Sequence, residues 1–477
     1  MKVVVVGGSA AGQFTGLMLA RAGHTVVLLD REDLMPARDI EAAAATAFRA
    51  TAPQIVQPHA LLPRCRLLLR EHLPDLYDAL LSLGALEATV DIAAPPGVHL
   101  ELQPGDDEYT SIATRRSTLD LVLRRGVAAQ ANLVRHFNTR AVGLLADAGS
   151  PPRIRGVRTD NGEIRADLVV DATGRRTSID AWLTDVGAER TELERAECGL
   201  SYQSRHYRHR DTHHVPGHPA TRILLALEEF TTGMWNGDNG SAIFAIAPLV
   251  EDRRFRTVTD PDVFDAVLRT IPAYRPWLEA MQPVSSVFVM AGLHNTWRRL
   301  FRDGRPVATG LALVGDSRCT TNPTFGRGLP LALIAAADLV RTLDKSGHDP
   351  VQLAHDVETL AAENLEPFYR DQAHNDALRL AGLRHAIFGT PAPAMTPAPN
   401  STSFNELRLA MPLHPDAVRT FWRAMGMLDL PDNIYNDAQV VRLTRELLDR
   451  ATPNQATSQP ATADINTALC CAAESAQ

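Results

Sequence analysis

Four consecutive β-branched residues, Val3 to Val6, lie between a single lysine and the pair Gly7-Gly8. A strand without alternating polar positions has no face to turn to water, so it belongs in a parallel sheet covered on both sides. Small and apolar residues from Ala10 to Ala22 suit a helix that Gly23 closes, and Val26 to Leu29 is a second apolar run that ends at Asp30. Strand, helix and strand in such short succession predict an α/β chain that opens with its own core.

The link between the first strand and the helix reads Gly7-Gly8-Ser9-Ala10-Ala11-Gly12. Gly7 permits a tight turn, and Gly12 lets helix and strand pack closely. The helix N-terminus then turns the amides around Ser9, Ala10 and Ala11 toward a pyrophosphate. Ser9 stands where the glycine pattern has its middle glycine. Asp30, 18 residues beyond Gly12, occupies the place of the acid that accepts both ribose hydroxyls of an adenosine, with Arg31 next to it. Glycine loop and acid together specify a dinucleotide.

A chain of 477 residues exceeds what one core serves, so two or three domains are expected. A formal charge of -8 gives no broad basic field, which argues against nucleic acid as a partner. Cys65, Cys198 and Cys319 lie far apart, and Cys470 and Cys471 are adjacent near the end; no spacing suggests a metal site or a disulfide framework. Gly7 and Gly8 interrupt the first apolar run well short of a signal peptide, and no stretch is apolar for long enough to span a membrane. These features predict a cytoplasmic protein without a membrane span. Five histidines (His206, His209, His213, His214 and His218) fall close together, a pattern read as a polar excursion at a sheet rim with no metal.

Further along, Arg31 to Pro58 lacks strand character, Leu61 to Leu83 has helical spacing broken at Pro74, and Thr118 to Ala131 reads as a helix. Asp167 to Asp171 is a short buried strand. From Gly199 to Val289 short apolar stretches separated by turns predict an antiparallel sheet. Leu311 to Val314 reads as a strand, Gly328 to Leu343 as a helix, and 350–450 as mostly helical around the proline-rich Thr390 to Ser403. After Arg450 the composition of Ala, Thr, Ser, Gln and Pro predicts a disordered tail.

A second constellation, Gly315-Asp316 after an apolar run and then Pro323-Thr324-Phe325-Gly326-Arg327-Gly328 before a helix, resembles the FAD-dependent aromatic hydroxylase superfamily. The flavin epoxidases of polyether pathways are the nearest branch, through His59-Ala60-Leu61-Leu62, Leu73-Pro74-Asp75-Leu76 and Gly84-Ala85. Arg116-Ser117-Thr118-Leu119-Asp120 and Asp171-Ala172-Thr173-Gly174-Arg175 resemble two further family segments, at the FAD phosphates and at the return to the cofactor domain. The resemblance touches residues 1 to about 345 in blocks and is weakest where a substrate would be chosen.

This resemblance implies a Rossmann-like FAD-binding domain (1–185 and 300–345, with 60–110 partly facing the substrate). An antiparallel-sheet substrate domain is inserted at 186–299, a C-terminal helical region follows at 346–450, and a tail at 451–477. FAD would be held by Gly7, Ser9, Ala10, Ala11, Gly12, Asp30, Arg31, Arg116, Asp171, Gly174, Gly315, Asp316, Pro323, Phe325, Gly326, Arg327 and Gly328. The implied activity is a monooxygenase that epoxidises or hydroxylates a hydrophobic secondary-metabolite-like substrate through a flavin C4a-hydroperoxide. NADPH or NADH would supply electrons directly or through a separate flavin reductase. No proton-transfer residue stands out; His59, Arg64 and Trp235 are pocket candidates, and Cys319, three residues past Asp316, is weighed as a covalent attachment point or redox partner of the flavin.

Three other readings compete. Halogenases share the cofactor fold, but their Trp-x-Trp-x-Ile-Pro segment is absent and the only lysines are Lys2 and Lys345. A flavin reductase of isoprenoid double bonds would keep the same motifs. A binding protein that has lost its flavin would not need Asp30, Arg116, Asp316, Gly326 and Gly328 intact.

Overall fold

In the computed structural model, residues 1–346, 349–393, 400–451 and 459–470 are described. Lys2–Val6 sits at the centre of a five-stranded parallel sheet. Thr25–Leu29 and then Leu133–His136 lie on one side of it, and Leu168–Asp171 and then Leu311–Leu313 on the other. Alternation along these strands explains their uniform hydrophobicity. Val3, Val5, Val26, Leu28, Leu168 and Val170 face a helical layer that includes Ala10–Arg21, Arg116–Ala129 and Gly328–Ser346. Val4, Val6, Val27, Leu29 and Val169 face the opposite way, onto Leu144, Ile154, Val157 and Trp182. That second cover is a three-stranded antiparallel sheet (Ala141–Asp147, Arg153–Thr159, Gly162–Arg165) and the helix Ile179–Asp185.

A second five-stranded sheet is antiparallel, in the order Arg222–Ala226, Phe230–Asn236, Ser241–Pro248, Tyr202–His209, Met281–Met290. One face carries Tyr207, Phe230, Met234, Phe244 and Ile246 into a core closed by the helices Pro261–Arg269 and Arg275–Ala280. The other face, bearing Trp235, Ile243, Ser204 and His206, turns toward the parallel-sheet unit. Three contacts fix that approach: His206 Nε2 lies 2.7 Å from the Val56 carbonyl, the Tyr202 hydroxyl lies 2.8 Å from Thr324 Oγ1, and Arg115 Nε donates to Asp238 at 2.7 Å. The helices Pro350–Asn364, Glu366–Phe388, Phe404–Ala410, Pro415–Met425 and Ala438–Arg450 complete the molecule.

The segment after Arg450 departs from expectation. Thr462–Cys470 is a helix whose Ile465, Ala468 and Leu469 are buried in the outer core of the antiparallel sheet. Their spacing of three and four residues puts them on one face, a short amphipathic signal hidden in a polar composition. Residues 452–458 and 471–477, with Cys471, lie outside the described residues. No helix among the described residues is long and apolar enough to cross a membrane.

Candidate functional site

The two glycine constellations, about 300 residues apart in sequence, meet at the C-terminal edge of the parallel sheet. Gly12 packs so tightly on the first turn that a Cβ there would stand 1.8 Å from the Gly7 carbonyl oxygen. Gly315 takes a φ of +60° and lies against the same helix, where a Cβ would come within 2.6 Å of that of Ala11. Gly174 borders Asp316, and Gly326 borders Leu62 and the Ala60 carbonyl. Segments 7–12, 174–175 and 315–328, with 59–62 beside Gly326 and Arg116 beside His59, therefore lie together at this edge as a candidate cradle.

Several polar groups in this cradle have no partner in the protein. Ser9 does not cap the helix it precedes, so the first amides are free for an anion. Gln13 spends its amide nitrogen on the Gly8 carbonyl and leaves Oε1 buried without a donor. Arg175 leaves Nη1 in the same state. Burial pushes the Asp316 carboxyl up, while Arg175 and Arg116 pull it back down. At the far end, Asp30 accepts the Gly8 amide at 2.7 Å and pairs with Arg49 at 3.3 Å; Arg49 also pairs with Glu32 and leaves Nη1 buried without a partner. Native proteins pair most buried polar groups, so the unpaired Gln13 Oε1, Arg49 Nη1 and Arg175 Nη1 make these segments a candidate place for a polar ligand. An acid at the ribose end, an uncapped helix and two guanidinium groups midway, and an acid beyond suit a dinucleotide.

Arg116 holds Asp120 at 2.9 Å through Nε and approaches His59 Nε2 at 3.3 Å through Nη1. An arginine only donates, so His59 Nε2 accepts and its Nδ1–H donates to the Gln57 carbonyl at 2.9 Å. Burial, and then the Arg116 charge, hold this imidazole down to about 3. His59 is accordingly neutral in ordinary buffers.

Several expected site residues are committed elsewhere. Asp171 is buried, and its oxygens accept from Thr173 and Thr177, so it shapes the turn before Gly174. Arg327 is buried and committed within the protein: its guanidinium lies 4.8 Å from the centroid of the Phe325 ring, Nη1 donates to the Phe368 carbonyl at 2.9 Å and Nη2 to Asp371 at 2.5 Å. Arg64 binds the carbonyls of Met427 and Leu428 at 2.8 Å each, which ties its helix to the C-terminal region. Arg31 is exposed beside Asp30. Trp235 lies on the inner face of the antiparallel sheet with its ring over Gly233. Cys319 is buried, and burial first, then Asp316, pushes its thiol up to about 12, which leaves it unreactive. The five histidines disperse: His206 and His209 bond Val56 and Asn236, His213 and His214 turn to Asp211, and His218 accepts the Ala220 amide.

The Pro323–Gly328 loop is anchored from behind. Asp376, pushed up to about 6 by burial, accepts from Asn322 (2.9 Å), Asn295 (2.7 Å) and Gln372 (3.0 Å), while the Tyr202 hydroxyl donates to Asn322. In front, the Phe325 ring meets Phe404 at 4.3 Å, Phe404 meets Phe421 at 5.5 Å, and Phe421 meets Trp422 at 5.7 Å. This aromatic wall, Arg49, Arg175 and the Asp376 network were missed in the sequence. Arg175 directly follows the quoted Asp-Ala-Thr-Gly turn and was within reach; the others depend on which helices come to lie over the loop.

No protein-family model matches the chain. Protein Rv3254 of Mycobacterium tuberculosis (strain ATCC 25618 / H37Rv) is 27% identical over 453 residues, 89% of each chain. Among solved structures, PqsL of Pseudomonas aeruginosa, described as a probable FAD-dependent monooxygenase, is similar with a TM-score of 0.57 at 16% identity, covering 82% of this chain and 98% of its own. The p-nitrophenol 4-monooxygenase PnpA of Pseudomonas putida DLL-E4 gives 0.56 at 15%, covering 94% and 96%. The flavin-dependent brominase Bmp2 gives 0.59 at 15%, covering 94% and 100%. The matched structures show the fold alone and lend nothing to the epoxidase-like branch. The chain has the mixed α/β fold of FAD-dependent monooxygenases and halogenases.

Proposed function

We propose that the cradle binds FAD and that the protein is a flavin-dependent monooxygenase acting on a hydrophobic small molecule, with NADPH or NADH as electron source, directly or through a separate reductase. The observation that carries this reading is the meeting of segments 7–12, 59–62, 174–175 and 315–328 at one edge of the parallel sheet, with unpaired polar groups beside them. Asp30 would accept the adenosine ribose hydroxyls, and the free amides at Ala10 to Gly12, with Arg116 and Arg175, would neutralise the pyrophosphate. Asp316 would accept the ribityl hydroxyls, and the Pro323–Gly328 loop would set its backbone against the flavin ring. Bound FAD supplies the redox chemistry, taking two electrons and passing them to dioxygen. Around the ring, Phe325, Phe404 and Phe421 keep out water and give an apolar body a surface to lie on. His59, held neutral by burial and the Arg116 charge, is not placed as a general acid near neutral pH.

Halogenation is the second reading, because a brominase and a chondrochloren halogenase share the fold. The halogenases weighed from the sequence use an active-site lysine to handle hypohalous acid, and here Lys2 opens the first strand and Lys345 lies near the end of the Gly328–Ser346 helix, both exposed. Saturation of isoprenoid double bonds would use the same cradle without oxygen. The deciding measurement is the visible spectrum of the purified protein, followed by anaerobic reduction with NADPH and re-exposure to air. An oxidised-flavin spectrum that bleaches and returns with oxygen uptake is expected. A protein that cannot be loaded with FAD overturns the flavoenzyme reading, a reduced flavin stable in air favours the reductase, and bromide- or chloride-dependent products favour the halogenase.

A further inference from the structure

Among the described residues, the buried aspartates and glutamates are ion-paired with arginine, as Asp238 is with Arg115 and Asp371 with Arg327; Asp171 and Asp376 are the exceptions. Asp171 spends its oxygens on the hydroxyls and amide of its own turn. Asp376, on the Glu366–Phe388 helix and 5% exposed, takes its donors from three carboxamides. Asn322 Nδ2 and Gln372 Nε2 reach one carboxyl oxygen at 2.9 and 3.0 Å, and Asn295 Nδ2 reaches the other at 2.7 Å. Gln372 keeps its nitrogen toward Asp376 although its Oε1 is then buried without a donor, and Asn295 Oδ1 is occupied by the Asn322 backbone amide at 2.6 Å. A shell built of donors suits an ionised carboxyl, which only accepts. Burial pushes this carboxyl up to about 6 against the pull of the three amides and of Arg327, so a negative charge stands here at pH 8.

Among the described residues nothing adjacent neutralises that charge. Arg327, the cation that acts on it, is already bound to Asp371. Tyr202 and Cys198 are held protonated by burial, and Glu197 pairs outward with Arg384. An ionised group buried without a counter-ion costs stability, so its position carries information. One residue, Asn322, links it to the Pro323–Gly328 loop. Asn322 is itself 1% exposed; its Oδ1 accepts the Tyr202 hydroxyl and, at 3.0 Å, the Thr324 hydroxyl, and it caps the turn Pro323–Phe325. Tyr202 belongs to the antiparallel sheet, Asn295 to the strand His294–Arg299 and Asp376 to the C-terminal helices. Three parts of the molecule therefore meet at the residue that opens the loop.

We infer that Asp376 is a positioning residue for the bound flavin: through Asn322 it fixes the backbone of the Pro323–Gly328 loop, and its uncompensated negative charge behind that loop opposes the addition of electrons to the ring in front of it. A fixed charge in an interior of low effective dielectric acts beyond its own contacts. The consequence is a flavin harder to reduce than it would be in the same cradle without Asp376. This inference rests on the FAD reading of the cradle and goes beyond it, to the distant residue that tunes the cofactor.

The test uses the full chain loaded with FAD at pH 8 and two measurements that need no turnover: the visible spectrum of the bound flavin, and its anaerobic equilibrium with a reference dye of known potential. Asp376→Asn removes the charge at nearly constant shape. It is expected to shift the equilibrium toward reduced flavin by about threefold or more, the direction and scale of losing a nearby like charge, and to move the flavin absorption bands. Asp376→Glu keeps the charge and is expected to stay near the wild type in this equilibrium. Asp376→Ser, which leaves room for a water among the three amides, takes the place of Asp376→Asn if that variant does not fold. Ile465→Ala, destabilised on the side of the sheet away from the cradle, controls for a loss of stability alone and should keep the wild-type equilibrium. An equilibrium unchanged in the uncharged variants, a shift toward oxidised flavin, or an equal shift in Asp376→Glu or Ile465→Ala overturns the inference and leaves the FAD reading standing. A wild-type protein that cannot be loaded with FAD overturns the FAD reading, and the inference falls with it.

Discussion

Asp316 carries the sharpest expectation at the scale of single residues. It closes the cradle opposite Gly174, and Arg175 and Arg116 pull its carboxyl down against the effect of burial. Replacing it with alanine removes a charged acceptor worth about 1.5–3 kcal/mol, so Asp316→Ala is expected to weaken FAD binding by roughly tenfold to a hundredfold, read by fluorescence titration of the apoprotein. His59 carries a prediction about pH. Its imidazole is held at about 3 in the folded chain, while an unfolded one titrates near 6.5. Below that pH the unfolded chain takes up a proton that the folded chain refuses, so this contribution to stability is complete above about 6.5 and is lost as pH falls toward 3. Tm measured from pH 5 to 8 should therefore decline on the acid side less steeply in His59→Gln than in the wild type. An equal slope would mean that the folded imidazole titrates normally.

Among the elements, the Gly328–Ser346 helix shows how one residue serves a different end from the one its motif suggests. Arg327 follows the loop glycine yet runs into the interior, where it and Asp371 are 1% and 5% exposed. Removing one member of such a pair strands the other charge, so Arg327→Met is expected to destabilise the protein by about 3–5 kcal/mol. The loss should appear in the urea midpoint, and flavin content should fall with it because the loop and the Glu366–Phe388 helix lose their clamp. Destabilisation below 1 kcal/mol would show the pair to be replaceable. The opening strand–helix–strand unit was legible because its signals are local: an all-apolar strand, a glycine turn and an acid follow one another directly along the chain. The three-stranded cover at 141–165 was not, since its burial pattern is broken by Gly143 and Gly156 and by exposed arginines. It exists as a sheet only because the parallel sheet offers it Val4, Val6 and Val169.

For the molecule as a whole, the helix Thr462–Cys470 returns to the outer core of the antiparallel sheet, on the face away from the cradle. Thr462 Oγ1 donates to Glu229 at 2.7 Å and the Leu469 carbonyl accepts from Thr257 at 3.1 Å. Ile465→Ala is expected to cost about 2–4 kcal/mol in urea unfolding and to leave flavin content unchanged, because the helix packs on Pro261–Arg269, on the side of the sheet away from the cradle. A loss of flavin would mean that the two faces of the sheet are coupled.

Neighbouring residues were enough to read the α/β opening, the glycine turn at Gly7–Gly12 with Asp30 behind it, and the second glycine constellation at Gly315–Gly328, because the backbone needs of each are fixed locally. That Arg327 and Arg64 are committed to distant partners, that Asp171 serves its own turn, and that the residues near the end form a docked helix came from the fold. In each of those cases the partner lies far away along the chain, and a charged side chain is defined by what the fold brings to it.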